Sequence, residues 1–110
     1  MSQARPVPQV PAAEVPADVF LLDVREHDEW EAGHVPGALH IPLGELGARH
    51  TEIGQPGTLY VICRSGSRSG HAAQALAGAG WQAHNVADGM VGWQAAGRPM
   101  TSESGQPFVA

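Results

Sequence analysis

Lysine is absent from this 110-residue sequence, cysteine occurs once, and internal repeats are lacking. The lone cysteine, Cys63, excludes an internal disulfide framework and a zinc-ribbon site. No apolar run approaches the roughly 20 residues that a membrane-spanning helix needs. The first residues carry neither the basic segment nor the long apolar stretch of a secretory signal, so a cytoplasmic address is expected. Positive charge is scarce. Six basic residues, all arginine, face eleven acidic ones, and the formal net charge of −5 repels nucleic-acid phosphate and anionic lipid. Neither nucleic acid nor membrane is expected as a partner. The six histidines, His27, His34, His40, His50, His71 and His84, show no metal-ligand spacing and read as turn or surface positions. His71 follows the cysteine loop and could turn toward it, but a surface or satisfied histidine is the simpler account.

What is present is an ordinary globular balance, 43% hydrophobic and 15% charged. A chain of this length forms one core and buries roughly two thirds of its unfolded surface. Fourteen glycines and nine prolines favour many short elements joined by tight turns over a bundle of long helices. The proline-rich lead-in, residues 1–16, permits at most a short edge strand and one helical turn. Residues 19–24 (VFLLDV) have the continuous apolar character of a strand buried on both faces of a parallel sheet. Residues 26–32 (EHDEWEA) predict a short helix whose acidic residues Glu26, Asp28, Glu29 and Glu31 form a solvated face. A second strand is expected over 38–41. A helix over 43–53 is weakened by Gly44 and Gly47, at about 1 kcal/mol each.

Residues 58–62 (TLYVI) are the strongest strand, and they deliver the chain directly to Cys63. An alanine-rich helix over 69–79, a strand over 82–86 and a short helix over 89–96 follow. Trp30, Trp81 and Trp93 sit at element edges and read as core. Strands alternating with helices predict an α/β domain with a parallel or mostly parallel sheet. Ligands of such sheets bind beyond the carboxyl ends of the strands, where Cys63 lies.

The loop Cys63-Arg64-Ser65-Gly66-Ser67-Arg68 joins a strand to a helix, and its backbone N–H groups can converge as an anion-binding nest. Gly66 permits the necessary curl. Two guanidinium groups and the helix N-terminus favour thiolate over thiol, which makes Cys63 a nucleophile. Arg64 through Arg68 are the expected substrate-binding residues. Taken alone, a single cysteine reads as a small buried hydrophobe, but five polar or glycine residues after it make no sense as core. Arg68 opens a helix, where a cation needs a counter-charge, and Asp23 at the end of the neighbouring strand is the expected partner.

These residues resemble the single-domain rhodaneses. The resemblance is carried by Asp23-Val24-Arg25, Trp30, Gly33-His34-Val35-Pro36-Gly37-Ala38, Ile41-Pro42, the run Cys63 to Ser69, and Gly89 to Trp93, in the family's order and spacing. It implies a five-stranded sheet flanked by helices on both faces, over residues 1–100; residues 101–110 (TSESGQPFVA), small and polar apart from Phe108 and Val109, are expected to form a flexible tail. It also implies a sulfurtransferase in which Cys63 takes a sulfane sulfur from thiosulfate or a persulfide donor. The persulfide then passes its sulfur to cyanide, a thiol or a partner protein. Asp23, Arg25 and Ser69 are expected as structural support, and no cofactor or metal is required. Asp88 departs from the family's pattern, standing where many relatives have the first glycine of a pair.

A cysteine-dependent phosphatase or arsenate reductase is the rival enzyme, but such enzymes place five residues between cysteine and arginine. Here Cys63 and Arg68 enclose four, a smaller cradle suited to a lone sulfur atom. A non-catalytic rhodanese-like binding module is the rival from another class, and its usual mark is a lost cysteine.

Overall fold

A computed structural model of the chain describes residues 6–110. Residues 1–5, the start of the lead-in, lie outside the described residues. Among the described residues, five strands form one parallel sheet in the order β1-β5-β4-β2-β3. They are β1 (Gln9–Val10), β2 (Phe20–Asp23), β3 (Leu39–His40), β4 (Thr58–Ile62) and β5 (Gln82–Val86). The helices are α1 (His27–Ala32), α2 (Leu46–Arg49), α3 (Ser67–Gly78) and α4 (Gly89–Ala95). The lead-in supplies the short edge strand β1 and a single 3-10 turn, Ala12–Glu14, as its prolines require.

Strand alternation divides the core in two. Leu22, Val24, Leu59, Val61 and Ala83 face α3, where Ala72, Ala73 and Leu76 allow the helix to approach the sheet closely. Leu21, Tyr60, Ile62 and Val86 face the other way and pack with Met90 and Trp93 of α4 and with Ala12 and Val15. Both faces of the central strands are therefore covered, which accounts for their continuous apolar sequence. The helix expected over 43–53 is instead a broken run: 3-10 turns at Leu43–Glu45 and His50–Ile53 flank the four-residue α2. Its glycines leave too little helix propensity to hold one regular element, yet Leu46 and Ile53 still reach the core.

Trp93 is buried, but Trp30 is only half-buried and lies between two imidazoles. Its ring stacks on His34 at 3.6 Å and on His40 at 4.6 Å. His34 is buried rather than superficial, with Nδ1 2.7 Å from the Trp30 carbonyl. The segment after residue 100 runs back along α1. Thr101 and His34 exchange backbone hydrogen bonds of 2.8 and 2.9 Å, and the Phe108 N–H donates to the Ala32 carbonyl. No helix among the described residues is long and apolar enough to cross a membrane.

The ion pair expected between Asp23 and Arg68 does not form. Asp23 is held by Arg25, two residues along the same strand end, which donates Nε and Nη2 to the carboxylate at 2.8–3.1 Å. The Arg25 backbone N–H adds a third donor at 3.0 Å, and Nη2 also reaches the Gly33 carbonyl at 2.7 Å. Both side chains are almost wholly buried. The nearest arginine in the chain therefore captures the carboxylate. Replacing Arg25 with alanine leaves a buried carboxylate unpaired and is expected to cost about 3–5 kcal/mol, a large share of a small domain's stability. Urea denaturation checks this, and a loss near zero would remove Arg25 from its supporting role.

Candidate active site

Cys63 follows β4, the middle strand of the sheet, and is only 1% exposed. The loop after it is clamped from behind by α4. The Met90 N–H donates to the Cys63 carbonyl at 2.8 Å and the Val91 N–H to the Arg64 carbonyl at 3.0 Å. These are first-turn donors that have no partner within their own helix. With the carbonyls drawn to α4, the next amides turn toward the sulfur. The Gly66 N–H donates to Cys63 Sγ at 3.1 Å, and the Ser65 and Ser69 amides add to the positive surroundings that favour its thiolate. Helix α3 has no side-chain N-cap, and the N–H of its N-cap residue, Gly66, is the one that donates to the cysteine sulfur.

Two glycines make the clamp possible. Gly66 adopts φ +100°, and a Cβ there would collide with the Ala87 carbonyl; Gly89 adopts φ +56°, and a Cβ would collide with the Cys63 carbonyl. Asp88 has an ordinary backbone conformation, so the glycine that the family resemblance leads one to expect there is not needed for geometry. Its carboxylate instead accepts the Ala12 N–H at 2.7 Å and ties the 3-10 turn to the start of α4.

Burial pushes the Cys63 thiol up, but the Ser69 hydroxyl and the amides of Ser69, Gly66 and Ser65 outweigh it, so the net direction is down. Ser69 is buried, with Oγ 3.2 Å from Sγ and 2.6 Å from Asn85 Oδ1. Arg68 stands at the first turn of α3 and donates Nη1 and Nη2 to the two carboxylate oxygens of Glu29 at 2.7 and 2.8 Å. Glu29 thus does not belong to a solvated face; it joins α1 to α3 and also accepts the Glu26 N–H at 2.9 Å. Arg64, Ser65 and Ser67 are exposed around the buried sulfur. Arg64 Nε donates to the Ala110 carbonyl at 3.0 Å. His71 is exposed, and among the described residues no three His, Cys, Asp or Glu side chains converge on a metal position.

Of the residues expected from sequence, Cys63 and the loop from Arg64 to Ser69 come together, while Asp23 and Arg25 form a separate pair at the end of the adjoining strand. Sequence reasoning missed Asn85 and Glu29. Asn85 carried a signal: an amide directly before Val86 at the inner end of a strand needs partners, and here they are Ser69, Gly66 and Gln9.

The rhodanese-like domain family matches residues 11–96. The chain belongs to that family. This rhodanese-like chain is 33% identical over 86 residues to the putative sulfurtransferase YtwF of Bacillus subtilis, covering 78% of this chain and 84% of the relative. It is 45% identical over 74 residues to the putative sulfur carrier protein YrkF of the same organism, covering 66% of this chain and 40% of the relative. Two further curated relatives are likewise longer, with 38% and 59% of their length matched. Among solved structures, a rhodanese-related protein from Thermoplasma volcanium superposes with a TM-score of 0.81 at 28% identity, covering 87% of this chain and 99% of the other.

The Arg68 hydrogen bonds hold the Glu29 carboxyl down at about 2 against the opposing effect of burial. A carboxyl lowered in the folded state adds stability above its unfolded pKa, near 4.3, and loses it as pH falls through about 2. Glu29→Gln is therefore expected to destabilise the domain at neutral pH, and the gap from wild type should close on acidification through that window. Denaturant melts across pH check this; a pH-independent gap would show that the pair's charge contributes nothing.

Proposed function

We propose that this rhodanese-like chain is a sulfurtransferase that carries a sulfane sulfur as a persulfide on Cys63. The observation that carries the reading is the single buried sulfur at the focus of backbone N–H groups, with the Ser69 hydroxyl beside it. The Cys63 thiolate attacks the outer sulfur of thiosulfate, the sulfur–sulfur bond of the donor breaks, and sulfite leaves with that bond's electron pair. The product is Cys63–S–S⁻, whose terminal sulfur takes up the charge that the loop amides stabilise. An acceptor such as cyanide or a thiolate then attacks the terminal sulfur and the Cys63 thiolate departs. One cysteine suffices for the cycle, and a persulfide on another protein meets the same requirements as a donor. No cofactor enters these steps.

Arg64, exposed and next to Cys63 in the loop, receives the anionic end of the donor in exchange for the single bond its Nε makes to the Ala110 carbonyl. Ser65 and Ser67 line the same rim with hydroxyl groups. Arg68 supports the loop from the side through Glu29, and that arrangement weighs against the phosphatase reading, in which the loop arginine must grip a tetrahedral oxyanion above the sulfur. The retained, thiolate-favouring cysteine weighs against a binding module. Chemistry that depends on one free thiol suits a reducing compartment such as the cytoplasm.

Incubation with thiosulfate is expected to add the mass of one sulfur atom to the intact chain, and cyanide should remove it again. Cys63→Ser should gain no mass and retain its fold. Arg64→Ala should mainly raise the KM for thiosulfate with kcat little changed, because donor binding is lost while the amides stay in place. Sulfur transfer by Cys63→Ser at the wild-type rate would overturn the persulfide route, and an unchanged KM in Arg64→Ala would return that residue to the solvated surface.

A further inference from the structure

Ser69 has one hydroxyl hydrogen and two claimants for it. Its Oγ lies 3.2 Å from Cys63 Sγ and 2.6 Å from Asn85 Oδ1, and all three residues are buried. The orientation of the Asn85 amide is fixed independently. The Gly66 carbonyl, 3.0 Å away, can only accept, so the atom facing it must be Nδ2, which also donates to Gln9 Oε1 at 2.8 Å. The oxygen therefore faces Ser69, and it needs a donor.

With neutral Cys63 every group in the chain is satisfied: S–H donates to Ser69 Oγ, and the Ser69 O–H donates to Asn85 Oδ1. When Cys63 ionises, the hydroxyl must turn to the thiolate and leave a buried amide oxygen without its donor, or stay and leave the thiolate to the amides alone. Either outcome costs a hydrogen bond that the neutral state keeps. We infer that Asn85 is a positioning residue that competes with Cys63 for the single Ser69 hydroxyl proton and so restrains ionisation of the resting cysteine. The consequence for sulfur carriage rests on the persulfide reading above. An added outer sulfur carries the charge itself, so Sγ no longer draws the hydroxyl, and the Ser69–Asn85 bond is kept. Asn85 thus favours the loaded state over the bare thiolate.

The charged groups around Cys63 lie on other elements. Arg68 of α3 senses its charge, with Glu29 of α1 behind it. Arg64 follows it in the loop, the Asp23–Arg25 pair ends the adjoining strand, and Asp88 opens the turn behind the loop. The substitutions below alter none of them.

The test is the pH profile of iodoacetamide alkylation, which reads thiolate directly and turns over no sulfur, so its outcome is separate from that of the sulfur-transfer reading. Asn85→Leu frees the hydroxyl for Cys63. The alkylation midpoint is expected to move to lower pH, with a rate about two- to fourfold faster on the acidic side of the wild-type midpoint. In a Ser69→Ala background the same substitution should change nothing. Asn85→Asp, close in shape, should slow alkylation, and more so with Ser69 present, because a carboxylate holds the hydroxyl proton more tightly; the acceptor it sets against the Gly66 carbonyl is common to both Ser69 backgrounds and cancels from that comparison. If Asn85→Leu does not fold, the aspartate pair decides. An unchanged or slower profile in folded Asn85→Leu, an equal acceleration in both backgrounds, or an aspartate effect indifferent to Ser69 would overturn the inference.

Discussion

The chemistry of this domain depends on where two carbonyls point. The Cys63 and Arg64 carbonyl oxygens are held by the first N–H groups of α4, and the chain cannot turn its oxygens toward α4 without turning its next amides toward the sulfur. The left-handed turn at Gly66 follows from that reversal, as does the close approach at Gly89. Two helix N-termini thus act on the same short loop from opposite sides. One consumes its acceptors, and the other delivers its donors to Cys63. The central place of β4 in the sheet makes this workable, because α3 and α4 can reach the end of that strand from the two faces.

Arginine takes the part of a cross-linker throughout. Arg25 closes on Asp23, Arg49 on Glu45 and Glu52, and Arg68 on Glu29, each with a guanidinium fork that a lysine could not match. Arg98 donates to the Ala12 and Val15 carbonyls and lies over the Trp93 ring at 4.1 Å, fastening the lead-in to α4. Among the described residues four arginines are thus committed to fixed contacts within the fold, and Arg64 beside the cysteine makes a single bond, to the Ala110 carbonyl.

The sheet and the cysteine loop were legible because their signals are local. A run such as residues 58–62 has one sensible use, and a polar, glycine-bearing loop after it cannot be core. What escaped was pairing across the fold. Sequence pairs Asp23 with Arg68 because both flank the site, but Arg25 is covalently closer and its fork fits the same carboxylate. Glu29 lies in an acidic run that sequence alone reads as solvated, and only the docking of α3 beside α1 gives it a partner. Residues 43–53 carry helical periodicity, yet two glycines within one short segment let tertiary contacts break it into turns. Asn85 reads simply as part of a strand, since strand periodicity describes which face a side chain takes and not what it must bond there.

The depth of Cys63 sets which sulfur atoms can reach one another. A disulfide requires two sulfurs about 2 Å apart, with their carbons fanned out around the bond. A sulfur that is 1% exposed can be met by the slim tip of an incoming molecule, but not by a second sulfur recessed equally far inside an identical chain. Two copies of this domain are thereby kept from oxidising each other into a covalent dimer, although the loop around each cysteine lowers its thiol below the ordinary range.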